Sequence, residues 1–156
     1  MISLLPELIT ALYSAATASP ALADVVVYDG PQVSETASPD ILMIGFSDTE
    51  DEPSARAEDQ GTPLPEFVRA ESITITCLAR TYTGATTFNA IPDARSRVFA
   101  IANAVADLVK GPAPLGDIRV AWCRVSSVSY TANSVSDGTI VDVEFELVFQ
   151  AQAVIE

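Results

Sequence analysis

The stretch IRVAWCRVSSVSYTANSVSDGTIVDVEFELVFQAQA, Ile118 to Ala153, reads as two long strands folded about Asp137-Gly138. From Thr139 on, Val141, Val143, Phe145, Leu147, Phe149 and Ala151 occupy every second position, with Asp142, Glu144, Glu146 and Gln150 among the residues between them. That alternation is a period-2 strand with one buried face. Asp-Gly favours a two-residue type I′ turn, because both central residues need positive φ. With Asp137 and Gly138 as that turn, Ser136 faces Thr139, Val143 faces Ala132, Phe145 faces Tyr130 and Leu147 faces Val128, so the apolar faces coincide. The same register continues to Trp122, Val120 and Ile118. It also leaves Arg124 and Ser126 on the apolar side, as the rim of the core or a β-bulge. Trp122, Tyr130, Phe145 and Phe149 then share one face, read as core packing rather than a ligand box. A hairpin with one apolar face is not stable alone, so the rest of the chain has to cover it.

Two helices are available for that. Ile2, Leu5, Leu8, Ile9, Leu12 and Ala16 fall at helical spacing, with Ser3 as N-cap and Pro6 in the first turn. Further on, Ala94, Val98, Ile101, Val105 and Leu108 make one continuous stripe between Pro92-Asp93, which suits a first turn, and Gly111-Pro112, which stops the helix. Between the helices lie three strand-like runs. Val25 to Tyr28 is short and ends in the turn Asp29-Gly30-Pro31. Ile41 to Phe46 is apolar throughout, which suggests burial on both faces or one face against an oligomeric partner. Ser72 to Tyr82 alternates, with Ile73, Ile75, Cys77 and Ala79 inward. Residues 47–65 carry Asp48, Glu50, Asp51, Glu52, Glu58 and Asp59 together with Pro53, Gly61, Pro63 and Pro65, and read as a long, flexible acidic loop. The expected fold is α+β: one domain over 1–156, a mostly antiparallel sheet of four to five strands, and two helices packed on one face.

Composition narrows the function classes. The 156 residues hold 8 Lys+Arg against 21 Asp+Glu and no His, a net charge of −13. Such a chain should repel DNA and anionic membranes. No run approaches the roughly 20 apolar residues of a membrane span, and Ala21-Leu22-Ala23, which imitates a signal-peptide cleavage site, lacks a basic region before it. The expected compartment is therefore the cytoplasm. Without histidine, Ser-His and Cys-His triads are excluded. Cys77 and Cys123 show no metal-ligand spacing and read as reduced thiols in strands. Glu144 and Glu146, two apart on a strand, stand about 7 Å from each other, a spacing compatible with an inverting glycosidase pair. Strand alternation gives the same spacing on any solvated face, which is the simpler reading. The Asp48 to Glu52 run resembles the opening of a calcium loop, but Pro53 replaces the turn glycine and Asp59 the bidentate Glu. The expectation is no enzyme, with no catalytic residue, no cofactor and no metal site.

The order of elements resembles that of the tail terminator (tail completion) proteins of long-tailed bacteriophages and phage-like particles. The residues that carry the likeness are the N-terminal helix, Tyr28-Asp29-Gly30-Pro31, Ile41-Leu-Met-Ile-Gly45, the polar loop, Glu71-Ser-Ile-Thr-Ile-Thr-Cys77, a second helix opening at Ala94-Arg-Ser-Arg97, and the closing hairpin Ser127 to Ala151. The resemblance implies a virion protein of the tail neck, assembled in the host cytoplasm. It would form a homohexameric ring that caps the tail tube, halts its polymerisation and offers the head a docking surface. It implies as partners a second copy of the chain, the tail tube protein and a head-completion or connector protein, with DNA passing the lumen without specific binding. The expected interface residues are Asp48, Glu50, Asp51, Glu52, Glu58, Asp59, Asp142, Glu144 and Glu146. The alternatives are another neck, connector or tube protein of the same particle and, last, an unrelated hydrolase using Glu144 and Glu146.

Overall fold

A computed structural model describes residues 2–32, 39–48, 52–60, 68–84, 90–135 and 137–154. Helix α1 (Leu5–Ala18) leads through a short 3-10 turn to strands β1 (Val26–Asp29), β2 (Asp40–Ile44), β3 (Ala55–Asp59) and β4 (Val68–Thr83). Helix α2 (Ala90–Leu108) and a second 3-10 turn precede β5 (Val120–Val135) and β6 (Gly138–Val154). The strands form one sheet in the order β1-β2-β4-β6-β5, with β3 beside β2 on the same edge of β4. All pairings are antiparallel except β1 with β2. The α+β class is as expected, and the sheet has six strands rather than four or five.

The extra strand comes from the acidic stretch. Residues 47–65 were expected to be loop throughout, but Ala55 to Asp59 pairs with Ile75 to Glu71. Ala55 and Ala57 pack against the core, while Arg56 and Glu58 point the other way. The period-2 pattern is present but written in alanines, which carry little strand signal.

The core lies between the sheet and the helices. Leu8, Leu12 and Ala16 of α1 and Ala94, Val98, Ile101 and Val105 of α2 are buried against Ile73, Ile75, Cys77, Ala79, Val141, Val143, Phe145, Leu147 and Phe149. Leu4 completes the α1 stripe at 0% exposure, whereas Ile2, expected to join it, is 85% exposed. Strand β2 is buried on both faces, as its unbroken apolar run suggested. Leu42 and Ile44 enter the main core, while Ile41 and Met43 form a second cluster with Leu78 on the opposite face of the sheet.

The closing hairpin departs from the expected register by two residues, then by one more at each of two bulges. Val135 pairs with Gly138, Ser134 with Thr139, Tyr130 with Val143 and Val128 with Phe145. A slip of two keeps every side chain on its expected face, because the strand period is two. Asp137 lies in the turn and Gly138 is already in the strand. Gly138 is needed there because a Cβ would stand 1.9 Å from the carbonyl oxygen of Thr83. A register shift between Val125 and Ser127 marks a bulge at Ser126, and a second one separates Val120 from Trp122. The first bulge removes the Arg124 misfit: Arg124 pairs with Val148 and Trp122 with Gln150, on the face away from the helices. Trp122 therefore does not share a face with Tyr130, Phe145 and Phe149.

Candidate assembly surface

The sheet face away from the helices takes alternate residues of β4, β5 and β6. Two rows cross it, Arg80 with Asp142 and Thr131, and Leu78 with Glu144 and Ser129. Each carboxylate is held by a neighbour. Arg80 donates to Asp142 through Nε (2.7 Å) and its terminal nitrogen (2.8 Å), a bidentate pair. Those hydrogen bonds, opposed by partial burial and aided by the charges of Asp142 and Asp48, hold the Arg80 guanidinium above its usual pKa. Ser47 donates to Glu144 at 2.8 Å and Ser126 donates to Glu146 at 3.0 Å. A shallow polar hollow of about 80 Å³ lies among Asp48, Ser129, Thr131, Asn133, Asp142 and Glu144.

The expected interface residues are only partly brought together. Asp48, Asp142, Glu144 and Glu146 share this face, with Asp48, Asp142 and Glu144 at the hollow. Glu58 lies on the same face but beyond Arg56 and Thr74, toward Ser72 and Gln150, and is paired with Arg56 at 3.3 Å. Asp59 pairs with Glu71 on the helix side, 3.5 Å from the Arg69 guanidinium. Glu52 is exposed, and Glu50 and Asp51 lie outside the described residues. Among the described residues the expected acids therefore form no single patch, because β3 puts its neighbouring acids on opposite faces.

As a catalytic pair, Glu144 and Glu146 lack the setting the chemistry needs. They stand on an open face, each tied by a serine hydroxyl, and among the described residues the hollow beside Glu144 is small, about 80 Å³, and does not include Glu146. Among the described residues, no group of three His, Cys, Asp or Glu is placed to hold a metal ion. The two thiols are unreactive by environment. Burial pushes the pKa of Cys77 up to about 12, and that of Cys123 likewise to about 12, so both are protonated at neutral pH.

The surface that sequence reasoning missed is β5. The helices cover β6 but reach β5 only at its margin, through Phe99 of α2, and every residue from Arg124 to Val135 is exposed. Val125 is 41% exposed, Val128 54%, Tyr130 38% and Val135 39%. Tyr130 stacks on Phe99 of α2 with ring centroids 6.0 Å apart. Beside it, Phe99, Ala102, Ala106, Val125, Val128 and Phe145 line a shallow apolar hollow of about 90 Å³. β5 is also the last strand of the sheet: among the described residues nothing pairs with its outer edge. The signal was available in the composition, since Val125 to Val135 contains no charged residue in a chain of net charge −13.

No family model and no curated protein matches this sequence. In three dimensions the chain is similar to a chain of the virion of a native gene transfer agent (GTA) particle. The superposition covers 97% of this chain and 100% of that one, with a TM-score of 0.59 and 14% identical residues. At that identity the likeness is one of fold, and it extends over the whole of both chains.

Proposed function

We propose that this chain is a structural protein of a phage-like particle, acting by assembly rather than catalysis. Within such a particle its role is that of a homohexameric ring at the head-proximal end of the tail tube, where it ends tube growth and offers the head its docking surface. The observation that carries this reading is the whole-chain likeness to a component of a gene transfer agent virion, joined to an element order that resembles tail terminators. The layout is consistent with it. Asp142, Glu144 and Glu146 on the outer sheet face accept local hydrogen bonds, and an acidic ring would let DNA pass without adhering. The tail tube protein on one side and a head-completion or connector protein on the other are the partners this role requires.

The open edge of β5 favours one rival, a tube subunit, because a polymerising subunit needs an exposed edge as much as a ring does. Adding purified protein to growing tail tubes separates the two. A terminator stops elongation and is found once per tube end, whereas a tube subunit lengthens the polymer along its whole length. A chain that neither arrests nor joins tubes would overturn the proposal.

A further inference from the structure

We infer that the outer edge of β5, from Ser127 to Val135, is the surface on which a second copy of this chain docks by strand addition. The inference rests on the ring reading for the biological setting and on the geometry of the two sheet margins for its substance.

The margins are built differently. One is made of the short strands β1 and β3, four and five residues long, carrying Asp29, Arg56, Glu58 and Asp59. Short, charged edges are the usual protection against unwanted strand pairing. The other margin is β5, sixteen residues long. Its two bulges lie toward its start, and from Ser127 to Val135 it pairs with β6 without irregularity. These nine residues present roughly 30 Å of regular edge, with no proline, no lysine and no charge. The apolar side chains on the helix side, Val128 and Tyr130, stand beside the hollow under α2. A strand added here would gain backbone hydrogen bonds and cover that hollow in one step.

The missing charge points to a second copy as occupant. A foreign partner of a chain with net charge −13 would gain specificity and speed from basic groups facing acidic ones. The β5 edge offers no acidic group for such a partner to meet. Two copies of the same acidic chain face the opposite problem, mutual repulsion, and a neutral strip is where they approach each other with least cost.

Val128→Lys and Ser129→Lys place a charge on either side of the edge strand at positions that are exposed, so the fold tolerates them. Ala100→Lys, on the exposed side of α2, is the control for added charge. The readouts are solution mass and amide hydrogen exchange. The expected result is an oligomeric wild type and control, with all amides of Ser127 to Val135 protected, and monomeric edge variants in which the alternate amides that do not bond to β6 exchange fast. A wild-type dimer that the edge variants dissociate supports the β5 contact and removes the ring reading. An oligomer that the lysines leave intact overturns the β5 contact and leaves the ring reading standing. A wild type that is monomeric at every concentration overturns both.

Discussion

Glu71 shows how a single side chain ties the first helix to the sheet. Its carboxylate is 0% exposed, and Oε1 accepts the backbone N–H of Leu4 at 2.7 Å and the hydroxyl of Ser3 at 3.1 Å. Ser3 in turn accepts the N–H of Leu5 at 3.0 Å. The helix N-cap position is Leu4 rather than Ser3, and the acid that satisfies the helix start arrives from β4, 67 residues away. Glu71→Ala should lower stability by about 1–3 kcal/mol, the usual effect of stranding buried donors, while Glu71→Gln, which keeps an acceptor oxygen, should lose less. Urea unfolding checks this, and an alanine variant as stable as the wild type would remove Glu71 from the account. Gly138 is the other residue with a role that its identity alone did not reveal. Asp-Gly reads as a turn, yet the glycine is required by the passing Thr83 carbonyl. Gly138→Ala forces backbone apart at the end of β4 and should cost about 1–3 kcal/mol, as overpacking does, measured as a fall in the unfolding midpoint.

At the scale of elements, legibility followed the size of the apolar residues. Strands β4 and β6 alternate between large and polar side chains, and α2 carries an unbroken stripe, so all three were readable. β3 was not, because its inward residues are Ala55 and Ala57. The register of the hairpin was readable only to within an even slip, since every even slip keeps the same faces together. The bulge at Ser126 was signalled by Arg124 on the wrong side, but a misfit does not say which residue is extra. Of the candidate surface, the acids were visible and their separation onto two faces was not, because that follows from a strand the pattern hid. Removing Ser126 tests the account of the bulge. Without the extra residue, Ser127 opposite Glu146 would be followed directly by Val125 opposite Leu147, and Arg124, Cys123 and Trp122 would keep Val148, Phe149 and Gln150 as partners. Deletion should therefore be tolerated, at a cost of at most about 1 kcal/mol for the lost hydrogen bond to Glu146. A loss of about 2 kcal/mol or more in urea unfolding, the order expected when a charged group is turned toward an apolar region, would show that Ser126 is not the extra residue.

For the whole molecule, the decisive property is that charge and edge are segregated. The acids concentrate between Asp24 and Glu71 and on the outer face of β6, and the cations are largely paired internally, as Arg80 with Asp142, Arg119 with Glu7 and Asp117, and Lys110 with Asp107. The β5 strip is left neutral. An assembly held by oppositely charged faces weakens as salt rises, because screening removes the attraction. An assembly of like-charged copies meeting at a neutral edge behaves in the opposite way: salt screens the repulsion between two −13 chains and leaves strand pairing untouched. Raising ionic strength from about 0.02 M to about 0.3 M shortens the screening length from roughly 20 Å to under 10 Å. The apparent dissociation constant of the self-assembled form should therefore fall across that range, by tenfold or more. Sedimentation at several salt concentrations measures it, and a constant that rises with salt would place the contact on charged residues instead of β5.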